Sequence, residues 1–116
     1  MTTHAGSCHC GRIAFEVDAE IDSAMECNCS MCSRRGGLLA FVPDAQVRLK
    51  TPEADLSTYT FNTHRIRHHF CPNCGIATFG RGTDQNGDAT WAINVRCLPD
   101  VDLAKLEIHQ FDGRNL

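Results

Sequence analysis

The spacing of eight cysteines constrains this chain of 116 residues more than any other feature of its sequence. The cysteines form a C-x-C pair (Cys8 and Cys10), a C-x-C-x2-C cluster (Cys27, Cys29 and Cys32), a C-x2-C pair (Cys71 and Cys74) and a lone Cys97. Cysteines separated by one or two residues chelate a metal ion easily but form strained disulfides with each other. The spacing therefore favours zinc binding over a disulfide framework.

The rest of the composition bears on the cellular environment of these thiols. Residues 1–7 have neither a basic start nor an apolar run, so we expect no secretory signal and a cytoplasmic protein with reduced cysteines. The longest apolar stretch, residues 38–42, is far shorter than the ~18 residues of a membrane span, so we expect no membrane partner. The length predicts a single domain over residues 1–116.

The charge of the chain argues against nucleic acid as a partner. The formal net charge is −3 with every cysteine counted as neutral. If seven cysteines bind two Zn²⁺ ions, the thiolates add seven negative charges and the ions four positive ones, giving about −6. Such a charge disfavours the phosphate attraction on which nucleic-acid affinity is built.

Short apolar runs separated by Gly, Asn, Asp and Pro predict strands rather than helices. The predicted strands are residues 12–17, 24–27, 38–42, 46–49, 57–61, 66–70, 77–80, 90–95 and 108–111. No amphipathic helix of twelve or more residues is evident, and residues 101–106 predict one turn at most. We therefore predict a mainly β fold of antiparallel strands with little or no helix.

The two cysteine pairs predict a closed metal site. Together they supply four thiolates, Cys8, Cys10, Cys71 and Cys74, which is the tetrahedral ligand set of a structural zinc. Gly11 and Gly75 each follow a pair, where a tight turn favours a residue that tolerates positive φ. This zinc would clip the first hairpin to a late strand and so stabilise a small domain.

The cluster of Cys27, Cys29 and Cys32 has no remaining C-x2-C partner to complete its ligand shell. Two interpretations stay open from spacing alone. Three protein ligands leave the fourth position of a zinc open for water or substrate, as in catalytic sites. Alternatively, Cys97 or a histidine closes a second structural site. Arg34 and Arg35 directly follow the cluster and can offset thiolate charge, hold a substrate carboxylate or form a solvated turn.

The histidines and Cys97 carry weaker signals. His64 and His68 have the internal spacing of a zinc finger but lie too far from Cys32 and in a strand pattern. His68 and His69 point to opposite faces of one strand, so one of them can serve as a general base or orienting residue. Cys97 is either a packed thiol or a thiol activated by the neighbouring Arg96.

Six segments together resemble the glutathione-dependent formaldehyde-activating family, which also includes centromere protein V. They are GSCHCG at residues 6–11, CNCSMCSRRG at 27–36, YTFNT at 59–63, HFCPNCG at 69–75, NVRCL at 94–98 and FDGR at 111–114. The resemblance covers residues 3–114. It implies a β-tent fold with two zinc ions, of which Cys8, Cys10, Cys71 and Cys74 hold the structural one. It assigns Cys27, Cys29 and Cys32 to a catalytic zinc.

The activity implied by the resemblance is the joining of glutathione to formaldehyde, formally that of a carbon–sulfur lyase. We therefore expect a small thiol such as glutathione and an aldehyde or related small electrophile as partners, with Arg34 or Arg35 pairing with the thiol's carboxylate. We also expect the second zinc to be the more labile one. Two alternatives remain, a β-tent redox enzyme that uses Cys97 and a non-catalytic, zinc-stabilised binding module.

Overall fold

The computed structural model describes residues 2–115, and its main content is ten β-strands. The strands are β1 (Thr3–Ser7), β2 (Ala14–Asp18), β3 (Ser23–Cys27), β4 (Leu39–Pro43), β5 (Val47–Leu49), β6 (Ser57–Tyr59), β7 (Arg67–Phe70), β8 (Ala77–Thr83), β9 (Ala89–Asn94) and β10 (Glu107–Phe111). One short helix, α1 (Cys32–Arg35), and 3-10 turns at Asp44–Gln46, Glu53–Asp55, Val95–Cys97 and Leu103–Lys105 complete the secondary structure of this part of the chain. The predicted mainly β class is confirmed.

The strands form two sheets of unequal size. The small sheet has the order β1-β2-β5, and the large sheet has the order β10-β3-β4-β9-β8-β7-β6. Within the described residues the strand pairs are antiparallel, as predicted, except that β10 runs parallel to β3. The connection over residues 95–106 carries the chain from β9 to the far edge of the large sheet, so β10 enters in the direction of β3.

The hydrophobic core lies between the small sheet and one face of the large sheet. Phe15 of β2 contacts Phe79 of β8 edge-on, with ring centroids 5.5 Å apart, and Phe79 contacts Trp91 at 4.4 Å. Phe15 and Ile93 are almost completely buried in this cluster. Because successive side chains of a strand point to opposite faces, the alternate residues of β3, β4, β8 and β9 face away from this core.

Every predicted strand matches an observed one within a few residues, but the prediction missed β1. The sequence of β1 lacks apolar alternation because its inward positions are His4 and Gly6. His4 is buried and bonds to the Asp100 carboxylate at 3.0 Å, and a side chain at residue 6 would overlap the Phe15 ring. The predicted single turn within residues 101–106 is the 3-10 turn Leu103–Lys105.

No helix within residues 2–115 combines the length and the apolar character that crossing a membrane requires.

Candidate metal centres and the adjoining cleft

The four cysteines of the two pairs form the first cluster. Cys8 and Cys10 lie between β1 and β2, while Cys71 and Cys74 follow β7, and the four Sγ atoms lie within 4.8 Å of one another. The Sγ atom of Cys10 is 3.7 Å from that of Cys8 and 3.6 Å from that of Cys71. Tetrahedral zinc with Zn–S bonds of about 2.3 Å requires sulfur separations of about 3.8 Å. This donor set therefore fits a tetrahedral metal ion.

Backbone N–H groups surround the sulfurs of this four-cysteine cluster. Ile13 donates to the Cys8 Sγ atom at 3.3 Å, and Asn73 donates to the Cys71 Sγ atom at 3.3 Å. Backbone hydrogen bonds from Cys10 and Ile76 lower the pKa of the Cys74 thiol to about 6. Such donors stabilise the thiolate, which is the form that binds a metal.

The turns of the four-cysteine cluster depend on two glycines. Gly11 and Gly75 have φ angles of +85° and +80°, as predicted from their positions after each cysteine pair. Each turn exposes backbone N–H groups to the sulfurs without a steric cost at Cβ.

Cys27, Cys29 and Cys32 form the second cluster, at the end of β3 and the start of α1. Their three Sγ atoms also lie within 4.8 Å of one another, and within residues 2–115 no further His, Cys, Asp or Glu joins the group. The N–H of Cys29 donates to the Cys27 Sγ atom at 3.4 Å, and the N–H of Cys32 donates to the Cys29 Sγ atom at 3.3 Å. This three-cysteine cluster can hold a metal ion with one coordination position left to a group from outside the cluster.

The C-terminal segment after β10 lies against the three-cysteine cluster. Three hydrogen bonds of Asn28 hold this segment in place. The backbone N–H of Asn28 donates to the Phe111 carbonyl, and its side-chain amide donates to Asp112. Its side-chain oxygen accepts a hydrogen bond from the N–H of Arg114. A Cβ atom at Gly113 would lie only 2.6 Å from the Cys27 Sγ atom. Sequence reasoning did not assign this supporting role, and its only signal was the FDGR segment of the family resemblance.

A cleft of about 620 Å³ opens beside the three-cysteine cluster, on the face of the large sheet that points away from the core. Cys27, Cys29 and Cys32 all line it, whereas none of the four cysteines of the first cluster does. Its volume falls within the range of sites that bury small molecules. The two clusters therefore differ in their surroundings, because only the three-cysteine cluster borders the cleft.

The structure separates the two arginines that follow the three-cysteine cluster. Arg35 lines the cleft, with its guanidinium 5.7 Å from the centre of the Phe70 ring. Arg34 does not line the cleft, and its Nη1 atom donates to the Ser30 carbonyl at 2.7 Å.

Arg96 also lines the cleft and was missed as a candidate site residue. Its Nε–H donates to the Gly36 carbonyl at 3.2 Å, while its terminal nitrogens have no hydrogen bond to another residue within 2–115. A β-strand followed by a 3-10 turn brings it opposite α1, which no local sequence pattern indicates. Arg35 and Arg96 together give the cleft two guanidinium groups that can bind carboxylates.

The histidines of β7 point to opposite faces, as predicted. His68 lines the cleft and stacks on Phe61. Burial, together with the charge of Arg35, lowers the pKa of the His68 imidazole, which is therefore neutral at pH 7. His69 faces the core, where its ring nitrogens bond to Thr58 at 2.9 Å and to the Nε–H of Arg81 at 3.0 Å. Of the pair, His68 is thus the one available to a molecule in the cleft.

Cys97 belongs to neither cluster, although it lines the cleft and lies near Cys8 and Cys74. Its side chain is buried and its Sγ atom approaches the Ala77 carbonyl at 3.8 Å. Burial raises the pKa of the Cys97 thiol to about 11, so the thiolate that a nucleophile needs is scarce at neutral pH. These surroundings are those of a packed thiol rather than an activated one.

Two sheets that carry a four-cysteine cluster and a three-cysteine cluster beside a cleft define a small, mainly β, cysteine-rich protein that can hold metal ions. The chain belongs to the glutathione-dependent formaldehyde-activating enzyme family, whose sequence profile matches residues 3–114. It is also similar to a protein from Rhodobacter sphaeroides of known crystal structure, with 31% identity and a TM-score of 0.79. That similarity covers 92% of this chain and 99% of the other. The predicted family is confirmed.

Proposed function

We propose that this protein is a zinc-dependent enzyme that joins a thiol of the glutathione type to formaldehyde or a related small electrophile, in the carbon–sulfur lyase class. The observation that carries the proposal is that Cys27, Cys29 and Cys32 border the cleft while the four-cysteine cluster does not. A metal ion that only stabilises a fold needs no such access. The family description supports the choice of glutathione and formaldehyde as partners.

The three-cysteine cluster supplies a donor set that suits zinc. Its members are thiols, which zinc prefers over the hard oxygen ligands of Ca²⁺ and Mg²⁺, and three protein ligands leave an exchangeable fourth position. Zinc bound there would provide a Lewis acid that lowers the pKa of a thiol and polarises a carbonyl group. The cluster Cys8, Cys10, Cys71 and Cys74 would hold the structural zinc.

The residues of the cleft would bind and orient the thiol. Glutathione carries two carboxylates, and Arg35 and Arg96 offer guanidinium groups that pair with carboxylates. We assign Arg34 no contact with substrate, because it lies outside the cleft and is occupied by the Ser30 carbonyl.

His68 would carry the proton between the two reactants. Its neutral imidazole accepts the thiol proton, the sulfur bonds to the carbonyl carbon, and the electron pair of the C=O π bond moves to oxygen. The imidazolium then returns the proton to that oxygen, so the product is the hydroxymethyl thioether and no oxidant or reductant is needed. In the reverse direction the same groups release the thiol and the aldehyde.

The test is the rate at which glutathione and ¹³C-formaldehyde exchange with S-hydroxymethylglutathione, measured by NMR exchange spectroscopy on the zinc-loaded protein. We expect acceleration by wild type and by Cys97→Ala, and none by Cys29→Ser, with both variants compared at equal folded concentration. An exchange rate equal to the protein-free rate would contradict the proposal.

The alternative functions have less support from the site. A redox enzyme based on Cys97 requires a reactive thiol, whereas Cys97 is buried and its pKa is raised to about 11. A non-catalytic binding module can use the cleft, but it does not require a three-ligand metal site at its border, which Cys27, Cys29 and Cys32 supply.

A further inference from the structure

The face of the large sheet that lines the cleft is unusually apolar for a face that no other sheet covers. Leu39 and Phe41 of β4 and Ala92 of β9 point into the cleft, while their neighbours Val42 and Ile93 point into the core. An antiparallel sheet with one solvated face normally alternates apolar residues inside with polar residues outside. Here both faces are apolar, and Phe41 remains 54% exposed.

The segment between β6 and β7 turns this apolar face into a concave site. Ile66 lies over two glycines of β8, because a Cβ atom at Gly80 would meet its Cγ2 atom at 3.6 Å and one at Gly82 its Cγ1 atom at 3.4 Å. The Ile66 side chain thus packs closely over the sheet at these two glycines. Phe61, from the same segment, stands beside His68 and also lines the cleft. The result is a walled cavity rather than a flat patch, which fits a small molecule better than a protein surface.

Glutathione and formaldehyde do not account for this surface. Formaldehyde has one carbon, and glutathione is a charged peptide whose carboxylates match Arg35 and Arg96. The apolar part of the cleft, formed by Leu39, Phe41 and Ile66, has no counterpart in either molecule. Exposed apolar surface of this kind marks a binding site for an apolar group.

We propose that the electrophile is an aldehyde with an apolar aliphatic or aromatic substituent, which lies against Leu39, Phe41 and Ile66. This inference rests on the proposed function and names its substrate class. The thiol sulfur bonds to the aldehyde carbon, the C=O π bond breaks, and the thiol proton ends on the oxygen. The product is a hemithioacetal, and no electrons are exchanged with a third reactant.

Stable thioethers of glutathione test the inference by binding alone. We would measure the affinities of S-methylglutathione and S-hexylglutathione for the zinc-loaded protein by isothermal titration calorimetry. The hexyl group adds five methylene groups, and burial of half of their surface predicts about 30-fold tighter binding. In Phe41→Ala, the ratio of the affinity for S-hexylglutathione to that for S-methylglutathione should fall to about 5-fold or less. The affinity of this variant for S-methylglutathione should stay within about twofold of the wild-type value. Ile108→Ala, which removes a comparably exposed apolar side chain outside the cleft, should preserve the gain.

Equal affinities for the two thioethers, or a gain that Phe41→Ala leaves unchanged, would overturn the inference. The same measurement with S-methyl- and S-hexyl-N-acetylcysteine should show the same gain, because the apolar subsite does not depend on the rest of the thiol. Failure of this inference is separate from failure of the proposed function. If exchange with formaldehyde is accelerated but the hexyl group adds no affinity, only the inferred substrate class is wrong. If no thiol and aldehyde tried show accelerated exchange, the proposed function itself is wrong.

Discussion

Gly113 lies directly against the three-cysteine cluster although it is far from these cysteines in the sequence. Its Cα lies so close to Cys27 that a Cβ would be 2.6 Å from the sulfur and 3.3 Å from the Cys29 Cβ atom. No φ requirement is involved, since Gly113 is not among the glycines with positive φ. The requirement for glycine here is therefore steric and is set by the candidate metal centre.

Gly113→Ala should displace either the C-terminal segment or the Cys27 sulfur and so weaken metal binding at the three-cysteine cluster. We expect the zinc content, measured by elemental analysis after dialysis against a mild chelator, to fall from two to about one per chain. Gly37→Ala is the matched control, because a Cβ there meets nothing closer than 3.7 Å. Two retained zinc ions in Gly113→Ala would contradict the assignment.

His69 gives the stability a pH dependence of known sign. Burial, with the nearby charge of Arg81, lowers the pKa of its imidazole from 6.5 to about 4 in the folded protein. Between these values the unfolded chain binds more protons than the folded one, so stability must fall as the pH drops from about 6.5 towards 4.

We expect His69 to account for a loss of roughly 1 kcal/mol in the free energy of unfolding between pH 7 and pH 5.5. Urea unfolding of wild type and His69→Gln at both pH values measures it. Between pH 7 and pH 5.5, the free energy of unfolding should decrease by roughly 1 kcal/mol less in His69→Gln than in wild type. Equal decreases in the two proteins would show that His69 does not titrate in this way.

At the scale of secondary-structure elements, the sequence predicts what depends on local pattern. Alternation and turn residues located β2 to β10, and the cysteine spacing predicted the two clusters that the structure brings together. The sequence did not predict β1, because the inward positions of that strand are a histidine and a glycine. It did not predict that β10 pairs in parallel with β3, because that pairing depends on a long crossover connection.

The cleft was not predicted either, because it is formed by segments that are distant in the sequence. Its walls come from six different strands, the helix α1 and several connecting segments. The position of Arg96 in the wall depends on the approach of the β9 end to α1. Cavities of this kind are properties of tertiary packing, so short-range periodicity carries no signal for them.

The helix α1 offers a matched pair of variants for the thiol-binding role. Arg35 lines the cleft and Arg34 does not, although they are neighbours of identical chemistry. We expect Arg35→Ala to weaken glutathione binding to the zinc-loaded protein roughly tenfold or more, as the loss of a charge-assisted hydrogen bond predicts. Arg34→Ala should change it by less than about twofold in the same calorimetric titration. Equal effects of the two substitutions would contradict the assigned role of Arg35.

At the scale of the whole molecule, the four-cysteine cluster joins the two sheets. Cys8 and Cys10 belong to the hairpin of the small sheet, and Cys71 and Cys74 follow a strand of the large sheet. The core they reinforce is small, with the side chains of Phe15, Phe79, Trp91 and Ile93 at its centre. A metal clip across it would contribute folding free energy directly.

Cys8→Ser or Cys74→Ser should therefore lower the free energy of unfolding by several kcal/mol and the Tm by more than about 10 °C. Thermal melts followed by circular dichroism measure this. Cys97→Ala, which removes a buried sulfur outside both clusters, should cost only about 1–2 kcal/mol. An unchanged Tm for Cys8→Ser with both metals retained would refute the structural site.

Cobalt substitution shows whether a metal ion held by Cys27, Cys29 and Cys32 has a coordination position open to a thiol. Co²⁺ placed in this site reports each change of ligand in its visible spectrum. We expect that glutathione added to the cobalt-loaded protein changes the spectrum to saturation, and that Cys29→Ser abolishes the change. A spectrum that saturating glutathione leaves untouched would mean that the protein already fills the fourth position, which contradicts this expectation and makes this a second structural site.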